Sequence, residues 1–71
     1  MNTETQPKNL VQGLIEEMNR CRELLKLYED IPTGGFGAAM LRRRISGGEE
    51  AMISGDVIEM LKAYQALTEC E

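Results

Sequence analysis

The stretch LVQGLIEEMNRCRELLKLY, residues 10–28, decides the fold. Its apolar residues Leu10, Leu14, Met18, Cys21, Leu25 and Tyr28 recur at steps of three and four, a spacing that keeps them on one face of an α-helix. Val11, Ile15 and Leu24 flank that stripe, and Glu16, Arg20, Glu23 and Lys26 occupy the opposite face. Glu16 and Arg20 stand four residues apart and predict a helix ion pair worth roughly a few tenths of a kcal/mol. A period of two, the mark of a strand, is absent here and throughout the chain.

Upstream, Pro7 suits the first turn of a helix, where its missing N–H is not needed. Residues Met1 to Gln6 are polar and aperiodic, so 1–6 reads as a disordered tail and 7–71 as one domain. Downstream, Asp30-Ile31-Pro32-Thr33-Gly34-Gly35 ends the helix. Pro32 disfavours helical geometry at Ile31, and the paired glycines permit a reversal. Thr33 is a candidate cap for the next helix.

A second stripe runs through Phe36, Ala38, Leu41, Ile45 and Met52. It is weakened at Ser46-Gly47-Gly48, because each mid-helix glycine costs about 0.5–1 kcal/mol relative to alanine. A kink there is one reading; a single continuous helix is the preferred one. Gly48 falls on the apolar stripe, where it would let a neighbouring backbone approach closely. Ser54-Gly55-Asp56 is the clearest boundary, a glycine stop followed by an acidic N-cap. Asp56 and Glu59 have the spacing of a capping box. The third helix then presents Val57, Met60, Leu61, Tyr64 and Leu67 on one face. The expectation is an all-α, antiparallel three-helix bundle with short connections and helices at about 8–29, 36–53 and 57–69.

The run Cys21-Arg22-Glu23-Leu24-Leu25, with Tyr28, Ile31, Gly34-Gly35-Phe36-Gly37, Ser54-Gly55-Asp56-Val57, Met60 and Tyr64, resembles small uncharacterised bacterial helical proteins. These are associated with prophages and other mobile elements. The resemblance covers most of the chain from Cys21 onward, and its motifs are structural punctuation. Such proteins often carry alanine or charged helix formers where this chain has Gly47 and Gly48. The resemblance implies a class of genome and brings no activity, substrate or binding residue.

Composition narrows the chemistry. Seventy-one residues make one small core, which rarely supplies more than about 3–5 kcal/mol of net stability. Disulfides, a metal or a second copy commonly supplement a core of this size. Two cysteines, Cys21 and Cys70, fall short of a disulfide framework, and no positively charged apolar leader opens the chain. Two free thiols in a reducing cytoplasm are therefore expected, with Cys21 inert in the core. Cys70 is expected at the surface between Glu69 and Glu71, where negative neighbours disfavour a thiolate. Without histidine and without C-x-x-C spacing, no metal site and no cofactor are expected.

No apolar run is long enough for a membrane span. A net charge of −4 and a pI near 4.8 argue against nucleic acid as the default partner.

Catalysis would fall to carboxylates or a perturbed lysine. The adjacent pairs Glu16-Glu17 and Glu49-Glu50 point roughly 100° apart on a helix, so they do not converge on one reacting atom. Thr33-Gly34-Gly35-Phe36-Gly37 before a helix suggests a phosphate cradle, but Ala38, Ala39 and Met40 stand where a P-loop needs its lysine and hydroxyl. It reads better as a helix–helix turn whose glycines take positive φ or admit Phe36 to the core. A helix-turn-helix is disfavoured too, since the helix after Gly55 opens with Asp56, Val57, Ile58 and Glu59.

Arg42, Arg43 and Arg44 form the densest charge cluster and fan over roughly 200° of a helix. At least one should border the apolar stripe and pack its stem there. The others would solvate the helix, pair with acidic neighbours, or meet an anionic partner. Among the five methionines, Met18, Met52 and Met60 lie on core stripes, while Met40 and Ile58 lie off them. Val11, Ile15, Leu27, Met40 and Ile58 are apolar residues left at the margins, a pattern that marks an interface when contiguous. The chain is thus expected to be non-enzymatic, an interaction module or regulator binding a protein partner or a second copy of itself. Arg42, Arg43, Arg44, Met40 and Ile58 are its candidate surface. The alternative is a nucleic-acid-associated accessory protein using the three arginines against phosphate.

Overall fold

The computed structural model describes residues 9–71. Three helices follow one another, α1 (Leu10–Glu29), α2 (Gly35–Ser54) and α3 (Val57–Thr68), and each packs against the other two. Among the described residues there is no strand. Cross-helix pairs fix the directions: Arg22 meets Glu49 and Glu29 meets Arg42, so α1 and α2 run antiparallel. The all-α bundle expected from the three apolar stripes is the one observed.

Asn9 starts α1, its side chain accepting a bond from the Gln12 amide at 2.7 Å. The expected start near residue 8 therefore moves to Leu10; Pro7 and the expected tail lie outside the described residues. Leu14, Met18 and Cys21 are buried, with Leu10, Leu24, Leu25 and Tyr28 packed beside them. Arg20 departs from its expected place on the solvent face. It is half-buried and pairs with Glu17 at 3.0 Å.

The α1–α2 turn works differently from the sequence reading. Thr33 does not cap α2: Gly34 holds that position, with no side-chain bond. Gly34 keeps a negative φ of −91°, and Gly55 is the positive-φ glycine among the described residues. Phe36 is 80% exposed rather than buried. What the turn glycines provide is room for Tyr28. A β-carbon on Gly34 would collide with the Tyr28 carbonyl, and one on Gly37 with its ring. The aromatic ring takes the space over the turn, and Phe36 is left outside.

Helix α2 is continuous through Gly47 and Gly48 and buries Ala38, Leu41, Ile45, Gly48 and Ala51. It stops at Gly55, where φ is 71° and the amide bonds back to Ala51 and Met52. The Asp56 side chain accepts from the amides of Ile58 and Glu59, so the N-cap forms as expected. Its reciprocal half does not. The Asp56 amide donates to the Ser54 hydroxyl, and Glu59 pairs with Lys62 instead.

On α3 only Met60 and Leu67 of the expected stripe are buried; Val57 and Leu61 are about half exposed, and Tyr64 is partly covered by α1 at Gly13. Ala63 and Cys70 complete the inward face. Gly48 of α2 lies close against Leu67 of α3, and Gly13 of α1 close against the ring of Tyr64.

Candidate interaction surface

The arginine cluster divides into three separate roles. Arg42 reaches back to Glu29 at 2.7 Å. Arg44 turns inward: its Nη1 donates to the Ala66 carbonyl at 2.7 Å, approaches the Cys70 sulfur at 3.9 Å and lies 3.7 Å from Glu69. This is the arginine whose stem lies against the apolar stripe. Arg43 is exposed and makes no ion pair with another described residue. Three neighbouring arginines therefore do not form one cationic surface.

Arg44 shares its task with Arg20. From α1, Arg20 donates to the Leu67 carbonyl at 2.8 Å and to the Cys70 carbonyl at 3.0 Å. The hydrogen bond to Glu17 is the main influence raising the Arg20 pKa, so the guanidinium stays charged. The last turn of α3 holds no basic residue, and its final carbonyls carry the negative end of the helix dipole. Two arginines from two other helices supply the missing donors. That absence was a legible signal in the sequence, but which arginines answered it was not.

Both cysteines lie in the same corner. Cys21 is fully buried and its thiol donates to the Leu67 carbonyl at 3.5 Å. Cys70 is half-buried rather than at the surface, and its thiol lies 3.7 Å from the Ala66 carbonyl. Burial pushes the Cys21 thiol up to about 11, and neighbouring Cys70 adds to the shift. A groove of about 150 Å³ is lined by Met40, Leu41, Arg44, Glu69, Cys70 and Glu71, with Tyr28 beside them.

Met40 belongs to this groove, near the α1–α2 turn, whereas Ile58 sits at the start of α3 at the other end of the bundle. The five expected surface residues thus do not lie together. Exposed apolar side chains collect at the two ends instead. Leu27, Ile31, Phe36 and Met40 surround the α1–α2 turn. Val11 and Ile15 at the start of α1, Ile53 at the end of α2, and Val57, Ile58 and Leu61 at the start of α3 surround the opposite end. Ile53, 85% exposed, is the most prominent of the second group. Sequence reading placed Ile53, Val57 and Leu61 in helices but gave no reason to expect them outside.

Among the described residues no three acidic or thiol groups gather to hold a metal ion, and no helix is long and apolar enough to cross a membrane. Comparison with protein-family models, characterised proteins and solved structures finds no match.

Proposed function

We propose that this chain is a non-enzymatic protein–protein interaction module that acts as a homodimer. The observation that carries the reading is the apolar end formed by Val11, Ile15, Ile53, Val57, Ile58 and Leu61. Scattered single apolar residues are ordinary on a surface, but a collection from three helices at one end is the usual mark of an interface. The second copy is favoured as the occupant because the monomer's core is small. Only Met60 and Leu67 of α3's large apolar residues are fully inside, so a matching helix end would bury what α3 leaves out. A two-fold pairing brings the same apolar end from each copy together. The resemblance to proteins of bacterial mobile elements is compatible with a small regulator of this kind.

The nucleic-acid reading has less support. Arg42 and Arg44 are satisfied within the molecule, which leaves Arg43 against a net charge of −4. Light scattering over a concentration series tests the proposal. A mass of twice the monomer that persists at moderate salt is expected. A monomer mass across the whole range overturns it, and retention on heparin at physiological salt would point to the phosphate reading.

A further inference from the structure

The last turn of α3 brings together two thiols separated by most of the chain. Cys21 and Cys70 donate to adjacent carbonyls of one helical turn, Leu67 at 3.5 Å and Ala66 at 3.7 Å. Each sulfur has a guanidinium beside it, Arg20 Nη2 at 4.0 Å from Cys21 and Arg44 Nη1 at 3.9 Å from Cys70. Neither cysteine is bridged in the structure. Cys70 lies past Thr68, the last residue of α3, with its amide bonded to the Leu67 carbonyl at 3.1 Å and its carbonyl accepting from Arg20, so its backbone is held beside Cys21.

We propose that Cys21 and Cys70 are a reversible thiol–disulfide exchange site whose substrate is a low-molecular-weight disulfide. The groove that Cys70 lines gives an external disulfide an approach to its thiol, and Arg44 Nη1 lies 3.9 Å from that sulfur. Cys70 attacks one sulfur of the reagent, forms a mixed disulfide and expels one thiolate, which takes up a proton. Cys21 then loses its proton, attacks the Cys70 sulfur and expels the second thiolate. Two protein thiols are oxidised and one external disulfide is reduced to two thiols. The order follows from burial: Cys21 has no access to solvent and its thiol holds its proton up to about 11, so it acts second. The bond would tie the end of α3 to the middle of α1 and close a loop of about 50 residues, a strong constraint on the unfolded chain.

The test treats the full chain, native and reduced, with an oxidised-to-reduced glutathione series, and reads intact mass and free thiols. The expected result is loss of both thiols together, a mass lower by two hydrogens, and a Tm higher by roughly 10 °C that falls again on reduction. Cys21→Ser should instead hold one glutathionyl group on Cys70, and Cys70→Ser should leave Cys21 unreactive until the protein unfolds. Three wild-type outcomes overturn the proposal, whatever the variants do: no reaction, a glutathione adduct that persists on Cys70, or a covalent dimer through Cys70. The oligomeric state plays no part in the readout, so this site stands or falls separately from the homodimer.

Discussion

Gly48 of α2 lies directly beneath Met18 of α1: a β-carbon there would sit 2.9 Å from the Met18 sulfur and 3.2 Å from a methyl of buried Leu67. All three helices meet at this glycine. Its neighbour Gly47 faces open space. The same substitution should therefore have opposite signs at adjacent positions. Gly47→Ala removes a helix penalty at no steric cost and should stabilise by about 0.5–1 kcal/mol. Gly48→Ala gains the same but overpacks the core, at a cost of about 1–3 kcal/mol, and should be net destabilising by about 1 kcal/mol. Urea unfolding of the two variants beside the parent decides the matter, and equal shifts would refute the close-packing account.

The arginines should separate in the same way. Arg44→Ala leaves the Ala66 carbonyl without its charged donor and should cost about 1–2 kcal/mol. Arg20→Ala releases two carbonyls and the Glu17 pair and should cost at least as much. Arg43→Ala should stay within about 0.5 kcal/mol of the parent, as surface changes usually do. Thermal melts of the three variants provide the measurement; an Arg43 effect as large as that of Arg44 would contradict the assignment.

A charge placed in the apolar end should dissolve the dimer without unfolding the monomer. Ile53 and Leu61 are both well exposed in the single chain, so Ile53→Glu and Leu61→Glu remove little from its own core. Each should raise the dimer dissociation constant by at least tenfold, about 1.4 kcal/mol, with helical circular dichroism unchanged. Sedimentation equilibrium reads the first effect. Phe36→Glu, at the opposite end, serves as the control and should leave the mass alone.

Cys21 should make the reduced protein sensitive to high pH. Its folded pKa of about 11 lies above the ordinary 9.0, first because of burial and then because Cys70 is near. Arg20 opposes the shift and Glu17 adds to it. A group that holds its proton more tightly when folded stabilises fully below its unfolded pKa and loses that contribution as pH rises through the folded value. Stability should therefore fall between about pH 9 and pH 11, by at most about 2–3 kcal/mol. Unfolding curves of the parent and Cys21→Ala across that range, both kept reduced, should converge toward high pH. Parallel curves would show that burial at Cys21 is not what holds the proton.

How much of this was legible beforehand depends on how local its cause was. The apolar repeat from Leu10 to Tyr28, the glycine stop at Gly55 and the Asp56 side-chain cap act within a few residues and form as expected, although Glu59 does not complete the capping box. Phe36, Val57 and Leu61 were misplaced because a helical stripe shows which residues share a face, not how wide an arc the neighbours cover. The candidate surface failed to assemble for a related reason: Met40 and Ile58 are at opposite ends of the bundle, a distance set by topology.

The amino-acid sequence on its own determined three amphipathic helices, the stop at Gly55 and the Asp56 cap. Those come from backbone geometry and from side-chain spacing along one segment. Only the tertiary structure decided that Arg20 and Arg44 would close α3, that Tyr28 rather than Phe36 would fill the turn, and that Cys21 would meet Cys70. Each of these joins residues that local spacing does not bring together, and such pairings depend on how far the helices rotate and slide as they pack. A linear pattern carries no record of that rotation.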